Sequence, residues 1–183
     1  YQGKALPTKG SSIEAVAFLE LPNLNPETLY YYWYLDERLQ RNKSGLGKLT
    51  FKFSATDEAG RSHQVKLWLK NKEDNLILEK TIEIKIAAPQ VYIKGPASIM
   101  AEQEKQFTAR PYFFNIKNID DLRYNWSIDE KEAQEAEILN PNILTLKIGR
   151  VAKTITKNLK LLTENKNNPQ QKAETRLKIT LLP

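Results

Sequence analysis

The chain has 183 residues, 27% of them charged, a net charge of +6 and no cysteine. Without cysteine it has no disulfides, thiolate metal sites or cysteine nucleophiles. The charges are interspersed rather than gathered into a basic stripe, which argues against a nucleic-acid partner. No apolar run reaches the roughly 20 residues of a membrane-spanning helix, so no membrane span is predicted in this segment.

Apolar residues alternate with polar ones in short runs along the first half of the chain, the pattern of half-buried strands. In chain order, the apolar positions are Ile13, Ala15, Ala17, Leu19; Leu29, Tyr31, Trp33, Leu35; Leu49, Phe51, Phe53; Val65, Leu67, Leu69; and Ile82, Ile84, Ile86. Turn-forming segments such as Asp57-Glu-Ala-Gly60 separate the runs. Closely spaced strands without a long amphipathic helix predict a β-sandwich.

The second half of the chain repeats this pattern. Tyr31–Arg38 matches Tyr124–Lys131 at an offset of 93 residues, with Tyr, Trp, Asp and Glu in register. Four further matches follow at offsets of 94 or 95: Leu49–Phe53 with Leu144–Ile148, Val65–Leu67 with Leu159–Leu161, Ile13–Ala15 with Phe107–Ala109, and Ala87–Pro89 with Leu181–Pro183. Such self-similarity predicts a tandem repeat. We therefore expect two domains, 1–88 and 89–183, in an all-β chain of two tandem immunoglobulin-like β-sandwiches.

One tryptophan in each repeat is predicted to mark the core. Trp33 and Trp126 lie on the inward face of a strand, and Tyr31 and Tyr124 precede them on the same face. A buried tryptophan at this place is typical of immunoglobulin-like sandwiches. The structural role is therefore favoured for these four residues over stacking on a ligand.

The order of a Tyr-x-Trp strand, a Leu-Thr strand and an Asp-x-x-Gly turn resembles the PKD and immunoglobulin-like repeats of bacterial surface proteins. The segment Pro111-Tyr-Phe-Phe114, with Tyr124-Asn-Trp126 and Leu144-Thr-Leu146, is also similar to uncharacterised surface proteins of candidate-phyla bacteria. The lack of cysteine favours a prokaryotic source as well. The resemblance implies adhesion, spacing or assembly rather than catalysis, and an extracellular or cell-surface location.

No catalytic or metal centre is predicted. The single histidine, His63, follows a turn and is expected to be solvated; a triad with Ser62 or Ser54 lacks the Gly-x-Ser-x-Gly motif. The carboxylates of Asp57-Glu58 and Asp120-Asp121 do not have the spacing of a calcium loop. Scattered glycines give no phosphate-binding loop. We therefore expect neither enzymatic activity nor a cofactor.

Four aromatic residues of the first repeat form the candidate binding site. If Trp33 faces the core, then Tyr30, Tyr32 and Tyr34 face outward, and Trp68 joins them from the neighbouring strand. Three interpretations remain: cross-strand stabilisation, contact with a partner protein or neighbouring subunit, and stacking on a sugar. The leading functional prediction is a non-catalytic structural or interaction module, in a surface filament or adhesin. The alternative is a carbohydrate-binding module that uses the same aromatic residues.

Overall fold

A computed structural model of the chain describes residues 6–19, 25–133 and 140–183. The described residues form two compact units, Leu6–Ala88 and Pro89–Pro183. Each unit is built from β-strands and short 3₁₀ turns, and each has its own hydrophobic core. The units are called unit one and unit two below.

Unit one contains two sheets that enclose its core. Its strands are β1 (Ser12–Val16), β2 (Tyr30–Leu35), β3 (Arg38–Leu39), β4 (Gly45–Leu46), β5 (Thr50–Ser54), β6 (Ser62–Lys70) and β7 (Leu76–Lys85). One sheet pairs β1 with β5, and the other has the order β3-β2-β6-β7, with β4 also paired to β2. All the pairs are antiparallel. Short 3₁₀ turns at Pro26–Thr28 and Arg41–Lys43 connect the strands.

Unit two repeats this arrangement, and its described residues form eight strands against seven in unit one. Its strands are β8 (Gln90–Lys94), β9 (Ser98–Met100), β10 (Glu104–Tyr112), β11 (Leu122–Ile128), β12 (Lys131–Glu132), β13 (Ile143–Lys147), β14 (Ile155–Asn165) and β15 (Asn168–Leu182). The sheets have the orders β13-β10-β8 and β12-β11-β14-β15-β9, and β9 pairs with β15 in parallel. A 3₁₀ turn at Ile119–Asp121 precedes β11.

The tryptophan of each unit lies in the core with its one polar atom satisfied. Trp33 is 3% exposed and Trp126 is 2% exposed. The indole Nε1–H of Trp33 donates to the Lys48 carbonyl at 2.8 Å, and that of Trp126 donates to the Pro141 carbonyl at 3.2 Å. A buried donor without an acceptor costs about 1–3 kcal/mol, so this repeated bond makes an interior indole tolerable.

The tyrosine two residues earlier is fixed in the same way in both units. Tyr31 and Tyr124 are buried, and their hydroxyls donate to the carbonyls of Pro26 (2.9 Å) and Ile119 (3.1 Å) in the preceding 3₁₀ turns. Each ring therefore joins the core to the turn that leads into its strand.

A two-residue Asp-Glu turn ends the tryptophan strand in each unit. Asp36 and Glu37 have φ of 48° and 65°, and Asp129 and Glu130 have φ of 47° and 66°. Positive φ at both central residues is the requirement of a type I′ hairpin, which Asn-Gly usually meets. Aspartate tolerates this conformation, and here its carboxylate also accepts a backbone N–H from the next strand of the sheet.

The register of the repeat differs from the sequence match at one strand pair. Because the indole acceptors lie 93 residues apart, Leu49 corresponds to Asn142 and Phe51 corresponds to Leu144. The predicted match of Leu49–Phe53 with Leu144–Ile148 is therefore wrong by two residues. The Leu-Thr identity that suggested it is accidental, since the position relative to the indole decides which side chains are buried.

The early strands show a similar error. Ala15 lies opposite Phe51 and Phe107 lies opposite Leu144, so these two strands correspond at an offset of 92 rather than 94. The match of Ile13–Ala15 with Phe107–Ala109 is wrong for the same reason.

His63 is not the solvated turn residue that the sequence predicts. It lies in β6 and is 2% exposed. Its Nδ1 lies 2.7 Å from Asp36 Oδ2, and its Nε2 accepts the N–H of Thr56 at 3.3 Å. With Nε2 accepting, the Nδ1–H is the group that donates to the Asp36 carboxylate. The histidine therefore links the Asp-Glu turn to the segment that follows β5.

Candidate functional site

The strand β2 places its tyrosines on the outer face of unit one. Tyr30, Tyr32 and Tyr34 are partly exposed and alternate with the buried Tyr31 and Trp33. This alternation follows from the two-residue period of a strand once Trp33 faces the core.

The neighbouring strand β6 brings a tryptophan between two lysines. In the antiparallel register, Tyr32 lies opposite Trp68, with Lys66 opposite Tyr34 and Lys70 opposite Tyr30. The four aromatic side chains of this face, Tyr30, Tyr32, Tyr34 and Trp68, are called the aromatic face below.

The rings of the aromatic face contact each other and the lysines. The ring centroids of Tyr34 and Trp68 are 5.0 Å apart, with their planes tilted by 59°. The Nζ of Lys66 lies 5.9 Å from the Trp68 ring, and the Nζ of Lys70 lies 5.5 Å from the Tyr32 ring. Both distances lie within the range of cation–π attraction, about 6 Å. The face is thus aromatic and positively charged at once.

Acidic residues partly balance this charge. Lys70 Nζ lies 2.9 Å from Asp74 Oδ1, and this hydrogen bond raises the pKa of Lys70 above its ordinary value. Lys66 Nζ lies 3.9 Å from Glu79 Oε1. The raised pKa keeps Lys70 charged at neutral pH, and the amino groups of both lysines lie over the rings.

The aromatic side chains are half-buried rather than fully exposed, because they cover one another and carry the lysines above them. The Nε1–H of Trp68 has no hydrogen-bond acceptor in the described part of the chain. A buried donor left unpaired costs about 1–3 kcal/mol.

Unit two has different chemistry at the corresponding positions. The residues that replace the aromatic face are Arg123, Asn125, Ser127 and Leu162. Its outer face carries two ion pairs, as that of unit one does, from Lys160 to Glu174 at 2.9 Å and from Arg123 to Glu164 at 3.9 Å, but none of the four replacing residues is aromatic. The repeat therefore preserves the interior and changes this surface.

Sequence analysis missed a second aromatic pair. Tyr92 on β8 is 55% exposed and Tyr112 on β10 is 40% exposed, with ring centroids 5.6 Å apart at 77°. The two strands pair antiparallel, with Tyr92 opposite Arg110. The alternation in both strands could have placed these rings on one face, but the pairing of β8 with β10 was not predicted.

Within residues 6–19, 25–133 and 140–183, no cluster of three metal-ligating side chains occurs. The carboxylates of Asp121 and Asp57, which the sequence analysis considered for calcium, contact neighbouring protein groups. Asp121 accepts the N–H groups of Lys117 and Asn118, both at 3.0 Å, and these bonds lower its pKa. Asp57 lies 3.8 Å from His63 Nδ1. No helix among the same residues is long and apolar enough to cross a membrane.

Comparison with solved structures identifies the fold. The chain is similar to three N-terminal domains of the bacteriophage RB49 highly immunogenic outer capsid protein (16% identity, TM-score 0.50), with 98% of this chain and 57% of that chain covered. It is also similar to Clostridium thermocellum CbhA fibronectin(III)-like modules (14%, 0.33; 97% and 90% covered) and to Sidekick-1 immunoglobulin domains 1–4 (14%, 0.36; 96% and 47% covered). No known sequence family and no curated protein matches the chain.

The similarity to the capsid-protein domains confirms the predicted all-β fold of immunoglobulin-like β-sandwiches. Structural neighbours at this identity show the fold alone, because a sandwich of this kind hosts many unrelated functions. The chain spans about 57% of the length of the capsid-protein domains.

Proposed function

We propose that the chain is a non-catalytic interaction module that contacts a neighbouring protein subunit through the aromatic face of unit one. The observation that carries the proposal is a difference between the units: the outer face of unit one carries three tyrosines and a tryptophan beside its ion-paired lysines, and the corresponding residues of unit two are not aromatic. Tyrosine and tryptophan are enriched where binding energy concentrates in protein interfaces.

The lysines favour a protein partner over a sugar. Lys66 and Lys70 lie over the ring faces of Trp68 and Tyr32, where a sugar ring would have to stack. An acidic or amide-bearing partner surface could instead meet the two ammonium groups and the tyrosine hydroxyls together. Carbohydrate binding is therefore the second outcome that the experiment must distinguish.

We also propose an extracellular or cell-surface location, within a larger assembly such as a surface filament or adhesin. The outer-capsid setting of the phage domains with the same fold supports this proposal. The bacterial surface repeats that the sequence resembles agree with it.

The test is sedimentation velocity of the chain over a range of concentrations, compared with Tyr32→Asn. Asparagine occupies the corresponding position of unit two, Asn125, so the substitution is compatible with the strand. We expect concentration-dependent self-association in the wild type, weakened at least tenfold in the variant.

Tyr92→Asn is the matched control, because it removes a more exposed tyrosine from a different strand. Equal weakening by both variants would contradict a specific role for the aromatic face. A monomeric wild type that binds a glycan array through Tyr32 would replace the subunit proposal with carbohydrate binding. A monomer that binds no glycan would overturn both.

A further inference from the structure

Unit one has an apolar groove of about 360 Å³ between β1 and β7. Ala17 and Leu19 line one side, Leu78 and Ile82 line the other, and Trp33 lies at its base. The groove therefore opens the hydrophobic core of unit one at the edge where its two sheets should meet.

Unit two has a strand at the corresponding place. There β8 pairs antiparallel with β10, the counterpart of β1, and also lies against β15, the counterpart of β7. Val91 of β8 is 4% exposed and belongs to the core, and Ile93 packs against that core. The strand β8 thus closes in unit two a gap that no strand among residues 6–19 and 25–88 closes in unit one.

The backbone edge of β1 is unpaired in the described part of the chain. β1 pairs only with β5, whereas β10 pairs with β13 on one side and with β8 on the other. Because residues that bond to β5 alternate with those that do not, the N–H and C=O of Glu14 and Val16 point toward the groove side. An unpaired edge of this kind is a template for another strand.

Apolar side chains are exposed around this edge. Phe18 is 86% exposed, Val16 is 61% exposed and Ile82 is 43% exposed. At the corresponding positions unit two has the polar Thr108 and Arg110, and a half-buried Leu177. Exposed apolar residues beside an unpaired strand are typical of a contact surface rather than of a surface that faces solvent.

We propose that this groove accepts an extended β-strand from a partner polypeptide, added antiparallel to β1 as β8 is added to β10. The chemistry of the partner follows from β8: an extended segment with two aliphatic side chains at alternate positions, Val and Ile in Val91-Tyr-Ile93, entering the core. Main-chain hydrogen bonds to β1 supply affinity, and the two side chains supply specificity. A second copy of the chain is a poorer donor, since its β8 is already committed to unit two.

The test uses a fluorescent peptide that reproduces residues 88–95, titrated into the full 183-residue chain. Fluorescence anisotropy is expected to show saturable binding, weakened at least tenfold by Ile82→Asp, which places a charge on the groove wall. Leu76→Asp is the matched control on the same strand outside the groove, and it should leave binding within twofold. A peptide with aspartate in place of Val91 and Ile93 should not bind.

Amide hydrogen exchange of Val16 identifies the occupant. We expect fast exchange in the chain alone and exchange at least tenfold slower with the peptide bound. Slow exchange in the chain alone, at all concentrations, would overturn the proposal in favour of occupation by the chain's own residues. Protection that rises with chain concentration would overturn it in favour of a second copy. Absence of peptide binding with fast exchange would overturn it outright.

Discussion

The two units keep the same interior and differ on their surfaces. Each has a buried Tyr-x-Trp strand whose hydroxyl and indole donate to backbone carbonyls, and each ends that strand with an Asp-Glu turn. The outer face and the open edge differ. Interior side chains are constrained by packing and by hydrogen bonds that must be satisfied. Surface positions are free of both constraints and can diverge, and it is on the diverged surfaces of unit one that we propose the contacts with other proteins.

The largest expected effect comes from removing either core tryptophan. Trp33→Ala and Trp126→Ala should each lower the free energy of unfolding by about 3–5 kcal/mol, from lost burial and the cavity left behind. Urea unfolding measures the loss. A change below about 1 kcal/mol in one unit only would break the equivalence of the two cores.

The Asp-Glu turns should respond unequally to the loss of aspartate. Asp36→Ala removes a bond to the Gln64 N–H and the partner of the buried His63, so we expect a cost of about 1–2 kcal/mol. Asp129→Ala leaves only Asn158 and the solvated Lys157 without a partner, so its cost should be smaller. Chemical denaturation of both variants gives the order, and the reverse order would contradict the role assigned to His63.

Acid should destabilise the fold through the same carboxylates. Burial alone would raise the pKa of Asp36, but bonds from Gln64 and His63 hold it below the ordinary value of 3.8. The pKa of Asp129 is also lowered, first by the Asn158 N–H. A lowered folded pKa gives stability above the unfolded value, which is lost as pH falls through the folded pKa.

The free energy of unfolding should therefore fall as the pH drops below about 4, with a shallower fall in Asp36→Ala than in the wild type. Urea midpoints between pH 6 and pH 2.5 test this expectation. Identical slopes in the two proteins would show that Asp36 does not carry the acid sensitivity.

The smallest effect is expected from Trp68→Phe. The change removes the unpaired Nε1–H, which stabilises the fold, and some packed ring area, which destabilises it. The two effects on the free energy of unfolding therefore oppose each other. Thermal unfolding should place the variant within about 1 kcal/mol of the wild type. A loss above about 2 kcal/mol would mean that Trp68 acts mainly as a cross-strand stabiliser rather than as part of a binding surface.

Periodicity was enough to predict the sandwich fold, because alternation in each strand reflects which face is buried. It also placed Tyr30, Tyr32 and Tyr34 on the outer face, while their pairing with the Trp68 strand was predicted from the immunoglobulin-like arrangement. It failed for His63, since a polar side chain that is buried by a partner 27 residues away has no local signal. The match of Leu49–Phe53 was also wrong, because it was based on the shared Leu-Thr pair and not on the number of residues between this strand and the buried tryptophan.

The open edge of unit one was not predicted for a related reason. Strand pairing across the sequence decides it, and β8 shows the missing partner only when the two units are compared in structure. Residues such as Val16 and Ile82 follow an ordinary strand pattern, which does not reveal that β1 pairs on one side only among the residues the structure describes.

The most direct test of the account replaces the aromatic face with its counterpart from unit two. A chain carrying Tyr32→Asn, Tyr34→Ser and Trp68→Leu should remain folded by circular dichroism, because unit two carries these residues in the same strands. In sedimentation velocity it should be monomeric at concentrations where the wild type associates. Unchanged association of this folded variant would contradict the claim that the aromatic face is the interaction surface.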